Sequence, residues 1–61
     1  MNLCKCINEP RGNHGLEGYQ RGLTYIYEKI AKTYKIYPLH NENYSESCST
    51  RAFHQHFMEL T

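Results

Sequence analysis

The sequence predicts an α+β domain: a small antiparallel sheet of three or four strands with one C-terminal helix packed on one face. Three observations lead there. Leu23 to Leu39, LTYIYEKIAKTYKIYPL, places nine of the strongest strand formers in seventeen residues. Ser49 to Leu60 opens with a capping residue and then repeats apolar residues at helical spacing. The 61 residues suffice for a single domain, residues 1–61, with one core.

Asn2 to Ile7 alternates, with Leu3, Lys5 and Ile7 on one side and Cys4 and Cys6 on the other. This is the period of a short strand, serving as an edge or partner for the hairpin, and its cysteines fit as small core hydrophobes. Asn8 to Gly22, NEPRGNHGLEGYQRG, is a loop punctuated by Pro10 and by glycines at 12, 15, 18 and 22, with Leu16 and Tyr19 as its apolar anchors. Leu23 to Leu39 forms a hairpin around a turn at Ala31-Lys32. That register sets Glu28 opposite Lys35 and Tyr27 opposite Ile36, pairing opposite charges on one face and an aromatic with a β-branched residue on the other.

Pro38 ends the second strand because it has no N–H for a ladder. His40 to Asn43 forms a polar turn, and Tyr44 to Cys48 returns as a short fourth strand. Ser49 is the expected N-cap, with Cys48 and Phe53 at the positions of a hydrophobic staple. The helix is expected over Thr50 to Leu60, burying Phe53, Phe57 and Leu60 at i, i+4 and i+7.

Composition narrows the function. Lys and Arg exceed Asp and Glu by one, so no global field singles out nucleic acid or a membrane surface as the partner. No apolar run has the length of a signal peptide or a spanning helix, and a cytoplasmic protein with no membrane partner is expected. A chain this short gains from association, and six of its eight aromatics are tyrosines, so a homo-oligomer is expected. On the expected hairpin Tyr25, Tyr27, Tyr34 and Ile36 share one face, and Ile26, Ile30, Tyr37 and Leu39 share the other. One helix covers one face only.

Chemistry is sparse. Three cysteines cannot all pair, and they read as reduced thiols. Cys4 and Cys6 with the histidines raise zinc, but the spacing is not that of a knuckle, and His54 and His56 lie two apart on a helix, pointing to different sides. No catalytic residues, metal or cofactor are expected, and the protein reads as a non-enzyme. The loop carries the sharper hypothesis. Its glycines allow an inward nest of N–H groups, so Arg11, Gly12, His14, Gly15, Gly18, Tyr19 and Arg21 are candidate ligand-binding residues, the arginines for phosphate and Tyr19 for a stacked base. The alternative is a surface loop whose arginines pair with Glu9 and Glu17.

NEPRG at 8–12, GLEGYQ at 15–20, Tyr37-Pro38 and the Cys48-Ser49 start of a Phe-rich helix together resemble small proteins encoded by tailed bacteriophages and prophages. The resemblance would span nearly the whole chain. It implies an accessory protein that antagonises a host defence by binding: either sequestering an anionic small molecule such as a signalling nucleotide, or masking a host protein through the tyrosine-rich sheet face or a strand edge.

Overall fold

The computed structural model describes residues 2–12, 16, 18–41 and 43–61. The elements run β1 (Asn2–Cys6), β2 (Thr24–Ile30), β3 (Thr33–Pro38), β4 (Glu46–Ser49), α1 (Thr50–His56) and β5 (Phe57–Glu59). All strands join one antiparallel sheet in the order β4-β3-β2-β1-β5, curled into a half-barrel. The α+β class agrees with the sequence reading, but the sheet has five strands where three or four were expected.

The hairpin follows the expected register, with Glu28 opposite Lys35 and Tyr27 opposite Ile36. Its two-residue connection needs a positive φ to match the strand twist, and Ala31 supplies it at φ 54°. The Thr33 hydroxyl donates to the Ile30 carbonyl at 2.9 Å across the turn.

The helix is shorter than its apolar spacing suggests. Ser49 caps it as expected, its Oγ accepting the Ala52 N–H at 3.1 Å, but the chain leaves helical geometry at Phe57, where φ is −131° and ψ 155°. Competition explains the difference. Phe57, Met58 and Glu59 can also alternate as a strand, and pairing with Cys6, Lys5 and Cys4 satisfies the edge of β1. Phe57 stays buried in either conformation, whereas Leu60 falls outside the stripe and is 45% exposed. The same pairing makes β1 an interior strand, between β2 and β5, and not an edge.

α1 connects the two sheet edges, β4 and β5, across the concave side. Beneath it lies one core of Cys4, Cys6, Tyr25, Tyr27, Tyr34 and Ile36 from the sheet, Phe53 and Phe57 from the crossing segment, and Leu16 and Tyr19 from the loop. The tyrosine face is therefore interior, with Tyr25 at 6% and Tyr27 at 5% exposure, and it offers no docking surface to a partner protein. Curling makes this possible: the hydroxyls reach the rim and find partners there. Tyr27 donates to the Thr61 carbonyl at 2.9 Å and Tyr34 to Glu59 Oε2 at 3.1 Å, while Tyr25 accepts the Gln20 N–H at 2.9 Å.

Cys4 and Cys6 are fully buried free thiols, as their alternation suggests, and Cys48 is a partly buried one. Burial, followed by the neighbouring Cys6, pushes the Cys4 thiol up to about 12. On the convex side Leu3, Ile26 and Tyr37 lie in register across three strands. Among the described residues no helix is long and apolar enough to cross a membrane.

Candidate ligand-binding cleft

The loop between β1 and β2 is pinned at both ends. Cys6 and Gly22 exchange with Leu23 and Cys6, the Cys6 N–H reaching the Leu23 carbonyl at 3.0 Å and the Gly22 N–H the Cys6 carbonyl at 2.7 Å. Gly22 sits at φ 92°, a conformation that would strain a side chain. Between these ends Pro10, Leu16 and Tyr19 are driven into the core. Leu16 and Tyr19 thus act as the expected anchors, and the 18–20 segment lies against the end of the half-barrel.

Tyr19 is more than an anchor. Its ring meets Tyr25 edge-on at 4.7 Å and Phe57 at 5.8 Å, and its hydroxyl donates to the Ile36 carbonyl at 2.8 Å. At 3% exposure it presents no open face for a base, which corrects the stacking role expected of it. Burial, with the nearby Glu46 carboxylate adding to it, raises the Tyr19 phenol well above its ordinary value. It is a neutral core donor.

Two recesses adjoin along Gly18, Tyr19 and Gln20. The larger, about 540 Å³, lies between this segment and the turn after β3. Leu23, Pro38 and Leu39 supply apolar walls, and Gln20, His40, Asn41 and Tyr44 supply polar groups. Tyr44 is half exposed, and its hydroxyl lies beside Gly18, 3.4 Å from where a Cβ at 18 would stand. The smaller recess, about 410 Å³, is lined by Glu9, Pro10 and Arg11 on the other side of the same segment.

Arg11, Gly18 and Tyr19 are thus brought together, as the loop reading expects. Gly12 and Arg21 are exposed and line neither recess; His14 and Gly15 lie outside the described residues. Arg11 pairs with Glu9, its Nε and Nη2 at 3.1 and 3.0 Å from Oε2, as the surface-loop alternative expects of Glu9; Glu17, its other expected partner, lies outside the described residues. The Arg11 side chain is 88% exposed, so this pair is solvent-screened and costs little to rearrange.

The cleft residues Pro38 to Asn41 and Tyr44 escape a sequence reading because their stretch reads as an unremarkable polar turn. One signal is available: in the hairpin register Pro38 stands opposite Tyr25, which brings the turn beside the end of the loop. Among the described residues no three His, Cys, Asp or Glu side chains are grouped to hold a metal ion. Comparison with protein-family models, curated proteins and solved structures finds no match for this chain.

Proposed function

We propose that this chain is a non-enzymatic binding domain of the phage accessory type, which antagonises a host defence by capturing a small anionic ligand with a planar ring. A nucleotide has that chemistry. The observation that carries the reading is the junction of the two recesses along Gly18 to Gln20. The larger has the volume of a small-molecule site and mixes apolar walls with a few polar groups, as such sites do. A ring fits between Leu39, Pro38 and the exposed Tyr44, with Gln20, His40 and Asn41 to read its edges, while the anionic end lies toward Arg11. Tyr44 takes the stacking role that loop composition assigns to Tyr19, and Arg11 exchanges an exposed carboxylate for a phosphate.

Calorimetry with a panel of linear and cyclic nucleotides tests this. Binding should weaken by about 1.5–3 kcal/mol in Arg11→Ala, the range for hydrogen bonds to charged groups, with the fold unchanged. Tyr44→Ala should also weaken binding. Baseline heats across the whole panel would overturn the nucleotide reading. The protein-masking alternative then rests on β4 and β5, the outermost strands among the described residues, since the tyrosine face is interior.

A further inference from the structure

Exposed apolar surface gathers at the larger recess. Leu23, Leu39 and Tyr44, three of the six large hydrophobic side chains exposed among the described residues, all line it. Single exposed apolar residues are ordinary, but several around one hollow mark a surface that a ligand covers. Charge is kept away from it. Among the described residues no Lys, Arg, Asp or Glu lines this recess, whereas Glu9 and Arg11 line the smaller one. An uncharged ring suits the larger recess, with the anionic end of the same molecule beyond Gly18 to Gln20.

Each wall of the recess contributes one carboxamide. Gln20 belongs to the loop wall, where its backbone N–H donates to the Tyr25 hydroxyl at 2.9 Å and its carbonyl accepts the Leu23 N–H at 3.2 Å. Asn41 belongs to the turn wall. Its N–H donates to the Pro38 carbonyl at 3.3 Å, its carbonyl accepts the Tyr44 N–H at 3.1 Å, and its Oδ1 accepts the Asn43 N–H at 3.2 Å. Both residues are therefore held by their backbones, and what their side chains have left is specific. Among the described residues the Gln20 amide has neither its donors nor its acceptor engaged, while Asn41, with Oδ1 in use, offers chiefly the two N–H groups of Nδ2.

Nucleobases differ in the pattern they present to such groups. Adenine sets its N6 amino donor beside an acceptor nitrogen, and one carboxamide satisfies both. Guanine presents either two acceptors, O6 and N7, which Arg or Lys meets best, or its N1–H and N2 donors, which call for a carboxylate. Neither kind of side chain lines the recess. An imidazole donates or accepts according to its tautomer, so His40 favours neither purine. Cytosine shares the donor-acceptor pair of adenine, but its single ring covers less of the apolar wall.

We propose that the larger recess selects adenine, so that the ligand class of this cleft is an adenine nucleotide. Gln20 pairs with N6 and the adjacent ring nitrogen, Asn41 donates to a second ring nitrogen, and Tyr44 stacks on the base. This rests on the reading of the cleft as a nucleotide site and adds the identity of the base.

Calorimetry of the full chain with adenosine monophosphate, guanosine monophosphate, cytidine monophosphate and adenosine is the test, with circular dichroism to report folding. The adenine nucleotide should bind about tenfold or more tighter than the guanine nucleotide, a ratio that one bidentate base contact supplies, and tighter than the cytosine nucleotide. Asn41→Asp keeps an oxygen for the Asn43 N–H, and with it the turn, but exchanges the free donors for a carboxylate. Gln20→Glu makes the same exchange on the other wall. Each should cut the adenine-to-guanine ratio about tenfold; the added negative charge acts on both nucleotides alike, so the ratio reports the base. Equal binding of the two purine nucleotides, or a ratio that neither variant moves, would overturn the adenine assignment and leave the nucleotide site in place. Adenosine binding as tightly as its monophosphate would support the adenine recess and overturn the anionic end at Arg11. Baseline heats for all four compounds would overturn both.

Discussion

The ring of Phe53 lies flat on that of Tyr34, with centroids 4.0 Å apart and planes within 9°. This contact docks α1 on β3, and the Tyr34 hydroxyl extends it to Glu59 on β5. Phe57 stacks in turn on Phe53 at 5.5 Å and 13°. β3 and the consecutive α1 and β5 therefore share one aromatic column, each ring burying apolar area and adding the smaller preference of aromatic pairs for such geometries.

Removing the centre of that column should be severe. Phe53→Ala leaves a cavity under α1 and should cost about 3–5 kcal/mol, comparable with the whole stability expected of a domain this small. Gln55→Ala, on the exposed side of the helix, should stay within about 0.5 kcal/mol of wild type. Urea denaturation of the two variants checks this, and equal midpoints would refute the placement of α1.

Alkaline pH should unfold the protein before neutral or mildly basic pH does. Burial is the first cause of the raised thiols of Cys4, Cys6 and Cys48 and of the raised phenols of Tyr19, Tyr27 and Tyr34. A group with its folded pKa above the unfolded one loses its proton more readily in the unfolded chain, so its contribution is complete below the unfolded pKa and is lost as pH rises. For Cys4 that window opens at 9.0 and closes at about 12. Urea midpoints should fall progressively across it, and Cys4→Ala should show a shallower fall from a lower starting stability. A wild-type midpoint constant from pH 9 to 12 would contradict the burial of these groups.

The hairpin turn should tolerate glycine better than the helix does. Ala31 holds φ at 54°, where an L side chain costs roughly 1–2 kcal/mol, and Ala31→Gly relieves this while adding about 0.5–1 kcal/mol of unfolded-state entropy. The expected result is a gain of between zero and about 1.5 kcal/mol. Ala52→Gly, inside α1, should lose about 1 kcal/mol. Thermal melts separate the two signs, and a loss at both positions would contradict the turn geometry.

What the sequence discloses here is what neighbouring residues decide among themselves. The hairpin register follows from a two-residue turn and the pairs beside it, Glu28 with Lys35 and Tyr27 with Ile36, and the start of α1 follows from Ser49. The end of α1 does not, because Phe53 and Phe57 satisfy the core whether the chain continues as helix or turns to strand at 57; the edge of β1 decides. In the loop, Leu16 and Tyr19 are legible as anchors, but the depth of Tyr19 depends on the curl that brings Ile36 and Phe57 to it. The cleft arises where two segments meet, Gly18 to Tyr25 and Pro38 to Tyr44, and neither segment carries its signature alone.

The pairing of β1 with β5 has an entropic consequence. Leu3 receives the N–H of Leu60 at 2.8 Å and gives its own to Thr61 Oγ1 at 2.8 Å, a contact spanning 58 residues. By logarithmic scaling, closing a loop of that length costs roughly 3 kcal/mol more than closing the two-residue turn of the hairpin. The strand that must offset this has three residues, and Phe57 alone of them is buried. Much of the chain-ordering cost of the sheet is thus concentrated on its shortest member, held against it by one phenylalanine and the rings it touches.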